Sequence, residues 1–169
     1  MNEIKPAPAP LVFRSVNEIT EIIEHFDATD PERWVSLRDG VQFRPFLFDV
    51  TTGGWSSVLR IEPGRQLACH YHTQPVYGFT LEGSWRYLEH DWIANKGTFI
   101  YEPPGEMHTL VAHETLGMST FFVTRGSLIY TDASGRQSGY EDVFTRLALA
   151  RAHWAAQGLD AAELNAMMR

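Results

Sequence analysis

Hydrophobic and polar positions change their period twice along the chain, and each change marks a different kind of element. Ser15 followed by Glu18 has the spacing of a capping box, and Val16, Ile19, Ile22, Ile23 and Phe26 recur at helical intervals, which predicts a short N-terminal helix. From Trp34 to about Thr131 the period shortens. The runs VQFRPFLFDV, WSSVLRI, PVYGFTLEGSWRYLE, WIANKGTFIYE, HTLVAH and MSTFFVT favour strands, and TTGG, EPGR, NKG and PPGE lie between them. Closely spaced strands broken by Gly, Pro and Asn predict an all-β sandwich or jelly-roll barrel, because a parallel doubly wound sheet would need intervening helices. None fits between residues 40 and 130. The segment DASGRQSGY reads as a loop. After it, EDVFTRLALARAHWAAQG and LDAAELNAMM return to helical spacing, which predicts two short helices packed outside the barrel.

The expected organisation is an N-terminal arm over residues 1–14, a barrel with its leading helix over 15–139, and C-terminal helices over 140–169. A chain of 169 residues that is 44% hydrophobic is the right size for one core. Three prolines in MNEIKPAPAP make the arm an extended segment able to lie against a neighbouring subunit, and a homo-oligomer, dimer or tetramer, is expected from strand edges that invite pairing.

Charge and composition narrow the function. The formal net charge is −7, with Lys and Arg scattered, so neither nucleic acid nor an anionic membrane is an expected partner. No apolar stretch reaches the length of a membrane span and the first residues lack a signal-peptide core; a cytoplasmic location is the expectation. Cys69 is the only cysteine, so a metal site within one chain must be built from His, carboxylates or carbonyls.

Three histidines stand in a frame with mechanical meaning. Gly64 is followed, after five residues, by His70, Tyr71 and His72, and later by Gly83. Side chains two apart on a strand share a face, so His70 and His72 can both enter a barrel while Tyr71 and Cys69 turn away. A second frame runs from Gly97 through Pro103 and Gly105 to His108, where a tight turn feeds a new strand carrying a third imidazole. His25, His90, His113 and His153 have no such frame and are read as ordinary core or surface residues, as Cys69 is read as core.

These two stretches, GRQLACHYHTQPVYGFTLEG and GTFIYEPPGEMH, resemble the paired motifs of the cupin superfamily, over about residues 55–125. The resemblance implies a jelly-roll β-barrel with short peripheral N- and C-terminal helices, and a divalent metal on His70, His72 and His108. Cupins usually add a glutamate three or four residues after the second histidine; Val76 and Tyr77 stand there. Ala112 stands where an asparagine often follows the last histidine. Three neutral imidazoles leave a metal its full charge and several open positions, an arrangement similar to cupin dioxygenases that cleave diketones or hydroxyketones, and to thiol dioxygenases. The closest resemblance implies a non-haem Fe(II) enzyme that uses O₂ to cleave a small aromatic hydroxyketone. A cupin sensing module of the anti-sigma type and a cupin isomerase or sugar-binding protein are the alternatives.

Several side chains are candidates around that centre. Glu102, six residues before His108, can orient a ligand or accept a substrate proton as a catalytic base, or else be an exposed turn carboxylate. Glu106 could replace the absent carboxylate ligand. Arg86 and Tyr77 could orient substrate, and Trp85, Tyr87, Trp92, Phe99 and Tyr101 could line an aryl pocket, although each also reads as ordinary strand packing.

Overall fold

A computed structural model describes residues 21–169. Its strands are β1 (Val35–Arg38), β2 (Val41–Asp49), β3 (Gly54–Ile61), β4 (Gln66–His72), β5 (Val76–Tyr87), β6 (Ala94–Asn95), β7 (Phe99–Glu102), β8 (His108–Ala112), β9 (Met118–Thr124), β10 (Leu128–Thr131) and β11 (Gln137–Glu141). Two helices follow, α1 (Val143–Gln157) and α2 (Ala161–Ala166). The strands are joined in the order β1-β2-β3-β9-β5-β8-β4-β10-β11, with β6 and β7 also on β5. The architecture is all-β as expected, a curled antiparallel half-barrel followed by short C-terminal helices.

One strand carries the path around the corner. The first part of β5, Val76 to Gly83, pairs with β9, and its end, Trp85 to Tyr87, pairs with β8. The change falls at Gly83, whose φ is +69° and where an added Cβ would sit 2.1 Å from the Gly117 carbonyl oxygen. Only glycine allows both that backbone and that approach.

Between the two faces lies a core that includes Phe43, Phe48, Ile61, Trp85 and Leu110. The helices belong to the same core: Leu147, Ala150 and Trp154, spaced by three and four residues, are buried on one face of α1, and Leu164 and Met167 join them. The chain end is tied down by backbone. Phe48 N–H donates to Met167 O at 2.8 Å, and Arg169 N–H donates to Phe48 O at 3.0 Å.

Two expectations change. The predicted N-terminal helix begins among residues outside those described, but Ile22, Ile23 and Phe26 lie in a stretch with no helix. The backbone carbonyls there serve Arg44 instead: its guanidinium donates to Asp27 O at 2.8 Å and to His25 O at 3.3 Å. Phe26 packs edge-on against Trp34 and Phe46. The local periodicity is overridden by a buried cation that needs acceptors. The second change is β11, part of the segment read as a loop. QSGYE has no apolar alternation to announce a strand, and it is recruited by backbone pairing with β10. The expected arm over residues 1–14 lies outside the described residues.

Candidate metal centre

A β-bulge sets the site. Leu67 pairs with Leu110 and His70 with His108, so β4 spends one residue more than β8 between these pairs. Strict alternation from Leu67 would send His70 outward. The extra residue resets the phase, and Leu67, His70 and His72 are all buried. Ala68 and Cys69, which absorb the bulge, are half-buried. Cys69 is thus beside the core rather than in it, with Thr131 Oγ1 3.5 Å from its sulfur. The carbonyl of Ala68 is 2.7 Å from His70 Nδ1. With Nδ1–H as its donor, this bond directs the Nε2 lone pair into the barrel.

His108 opens β8 directly opposite His70. The three rings form a triangle with centroid separations of 4.8, 5.0 and 5.2 Å, and one donor nitrogen from each lies within 4.8 Å of the others. All three residues are buried. Burial first, and then a neighbouring imidazole, lower the pKa of His70 to about 4 and of His108 to about 3. Neutral imidazole is the protonation state a metal ligand requires.

Glu102 enters this triangle. It is 3% exposed, so it is no surface carboxylate. One oxygen lies 2.9 Å from His72 Nε2 and 3.7 Å from His108 Nε2. Burial opposes its charge, but His72 and His108 hold its pKa below the ordinary carboxylate value. The residue sits at the end of β7, directly across from Val76 on β5. A buried carboxylate therefore stands on the neighbouring strand, level with position 76 of the first motif.

Donor atoms converge here without partners. Both ring nitrogens of His72 and of His108, and both oxygens of Glu102, are buried and lack hydrogen-bond geometry to any described group. The 2.9 Å approach of His72 to Glu102 thus brings two donor atoms side by side rather than head-on. Cis ligands of an ion at about 2.1 Å are separated by about 3 Å. Buried polar atoms left unpaired cost free energy, and a divalent cation would satisfy one nitrogen of each ring: the residues fit a metal of the type that binds imidazole and carboxylate.

Tyr87, one of the candidates for the pocket wall, is brought to the centre. Its ring stacks face to face on His108, with centroids 3.9 Å apart and planes 4° from parallel, and burial together with nearby Glu102 pushes its pKa well up. Its place one strand over from His108 could be found only from the pairing of β5 with β8. Other candidates are not brought to the centre. Glu106 is on the rim, paired with His90 at 2.9 Å. Tyr77, Trp92, Phe99 and Tyr101 are exposed, and Arg86 is on the outer surface. Trp85 is core, its indole N–H donating to Thr80 Oγ1 at 2.9 Å.

The family model described as the ChrR cupin-like domain matches residues 24–129. This chain belongs to that cupin family. Among solved structures, it is similar to an RmlC-like cupin protein from Ralstonia eutropha JMP134, with 29% identity and a TM-score of 0.72 over 75% of this chain and 84% of that one. A cupin-like protein of unknown function from the same organism is 22% identical, with a TM-score of 0.69, covering 80% of this chain and 91% of that one. An acetylacetone dioxygenase from Acinetobacter johnsonii shares the fold at 14% identity and a TM-score of 0.69, over 83% of this cupin and 99% of that enzyme. No curated protein matches the sequence. Among the described residues, no helix of this cupin is long and apolar enough to cross a membrane.

Proposed function

We propose that this cupin is a non-haem Fe(II) dioxygenase that binds a ketone through two adjacent oxygens and cleaves a carbon–carbon bond with O₂. The substrate class is an aryl α-hydroxyketone such as 2,4′-dihydroxyacetophenone, which would yield 4-hydroxybenzoate and formate. The observation that carries the proposal is the convergence of three buried imidazoles, with one buried carboxylate beside them. Iron there would relay electrons from the substrate to O₂, which zinc on the same ligands would not.

The chain's own residues position and deprotonate. His70, His72 and His108 would hold the metal. Glu102, beside His72 and His108, would accept the hydroxyl proton of the bound substrate. Leu67, Val76, Leu110, Phe122 and Leu128 make the surrounding wall. They exclude water from a reactive centre and strengthen the interactions within it. Tyr87 braces the His108 ring.

One observation favours a more compact substrate as a second reading. The cavity measures about 40 Å³, room for a few waters, so an aryl ring enters only with movement of the apolar wall. A small β-diketone requires less. Oxygen uptake by Fe(II)-loaded protein with hydroxyketones and diketones, followed by product analysis, separates the two. His70→Ala should abolish most uptake and most metal binding. Absence of uptake with every ketone would overturn the dioxygenase reading and favour a sensing cupin.

A further inference from the structure

The wall of the cavity also contains a buried cation that the metal centre does not use. Arg146 belongs to the first turns of α1, whose start is fixed by the reciprocal Asp142–Thr145 capping box. It is 3% exposed and lines the same cavity as His70, His72 and Glu102. Its guanidinium carbon lies 4.8 Å from the ring centre of Phe43 and 5.5 Å from that of Trp55. These rings hold the group in place but accept none of its in-plane N–H bonds.

Its carboxylate partner is already shared. Glu141 pairs with Arg146, accepts from the Tyr130 hydroxyl at 2.8 Å, and is approached by Arg38 at 3.4 Å. Two guanidinium groups therefore divide one carboxylate. Arg38 is about one-third exposed and can use water, whereas Arg146 cannot. Arg146 Nε is buried and has no hydrogen-bond partner among the described residues. An unmet donor on a buried cation beside a cavity is a binding site for an accepting oxygen, and for an anionic one above all.

We propose that Arg146 is the specificity-determining residue that anchors an anionic oxygen, phenolate or carboxylate, on the part of the substrate away from the imidazoles. The proposal rests on the reading of the site as a ketone-chelating metal centre. For an aryl α-hydroxyketone the anchored group is the 4-oxygen of the ring, so Arg146 and the imidazoles would hold the two ends of one molecule. Fixing both ends sets the reacting carbon, as a two-point clamp does.

The test compares 2-hydroxyacetophenone with its 4-hydroxy and 4-carboxy ring derivatives. Each is measured by turnover of the Fe(II) protein and by calorimetric binding to the zinc-loaded protein, which binds without redox chemistry. In the wild type, KM and Kd should be roughly ten- to hundredfold lower for an oxyanion-bearing ketone than for the parent. In Arg146→Met that ratio should collapse to about one, and in Arg146→Lys a part of it should remain. A phenolate preference grows as pH rises towards the phenol's ionisation, whereas a carboxylate preference is flat there.

Should Arg146→Met fail to fold, Glu141→Gln supplies the opposite perturbation: releasing Arg146 from its carboxylate should tighten the oxyanion ketones relative to the parent. Equal KM values for all three ketones in the wild type overturn the Arg146 proposal and leave the dioxygenase reading standing. An oxyanion preference in zinc-protein binding, lost in Arg146→Met but accompanied by no turnover, overturns the dioxygenase reading alone. No binding of any ketone overturns both.

Discussion

Moving the buried carboxylate from β7 to β5 tests whether Glu102 replaces the glutamate that most cupins carry on the first motif. Val76 is 1% exposed and stands directly across from Glu102, itself 3% exposed. Directly opposed residues on one sheet face have Cβ atoms about 5 Å apart, so a glutamate at 76 starts within reach of the same point. In Val76→Glu alone, two carboxylates about 5 Å apart at an effective dielectric of about 20 repel by about 3 kcal/mol. The metal-free protein should therefore melt several degrees lower, with recovery on adding metal. Glu102→Val alone should weaken metal binding by roughly ten- to hundredfold. The double variant Val76→Glu/Glu102→Val keeps one carboxylate in the cavity and should regain most of that affinity. Metal competition against a chromophoric chelator, with thermal melts in the presence and absence of EDTA, measures all four proteins. A double variant that binds metal no better than Glu102→Val would refute the equivalence of the two positions.

Three further outcomes are expected. Arg146, the Tyr130 hydroxyl and Arg38 hold the Glu141 pKa below the ordinary carboxylate value against the opposing effect of burial. The stabilisation is therefore present above the unfolded-state pKa and lost as pH falls through the folded one; urea denaturation of Glu141→Gln should show its largest deficit near neutrality, and a deficit independent of pH would refute this origin. Gly83→Ala, with its Cβ 2.1 Å from the Gly117 carbonyl at φ +69°, should cost about 3 kcal/mol or more and lower Tm by roughly 6–12 °C, while a change below about 2 °C would contradict the corner geometry. We also propose assembly into a homo-oligomer through the face where Tyr77 and Phe79 on β5 adjoin Tyr101 and Phe99 on β7, all four exposed; light scattering that returns only the 19.2 kDa chain mass across micromolar concentrations would refute it.

Much of this molecule is written locally. Strand runs separated by glycine and proline turns, and the Ala- and Leu-rich C-terminal stretches, specify their own conformations through periodicity and turn chemistry, so the barrel and both final helices are legible from the chain. His70, His72 and His108 are legible for the same reason: their spacing belongs to one strand and to one turn leading into the next. Pairing between distant segments decided the rest. Strict alternation says nothing of the bulge that lets Leu67, His70 and His72 share a face. Glu102 could be suspected from its distance to His108, but its place opposite Val76 follows only from the register of β7 on β5. Tyr87 reached His108, and Arg146 reached the cavity, through contacts between elements far apart in sequence. The N-terminal helical pattern over Ile22, Ile23 and Phe26 failed because its carbonyls met Arg44, a partner about twenty residues away in sequence. Backbone preference acts over a turn or a strand, whereas the burial of a charge is settled only when the sheets close around it.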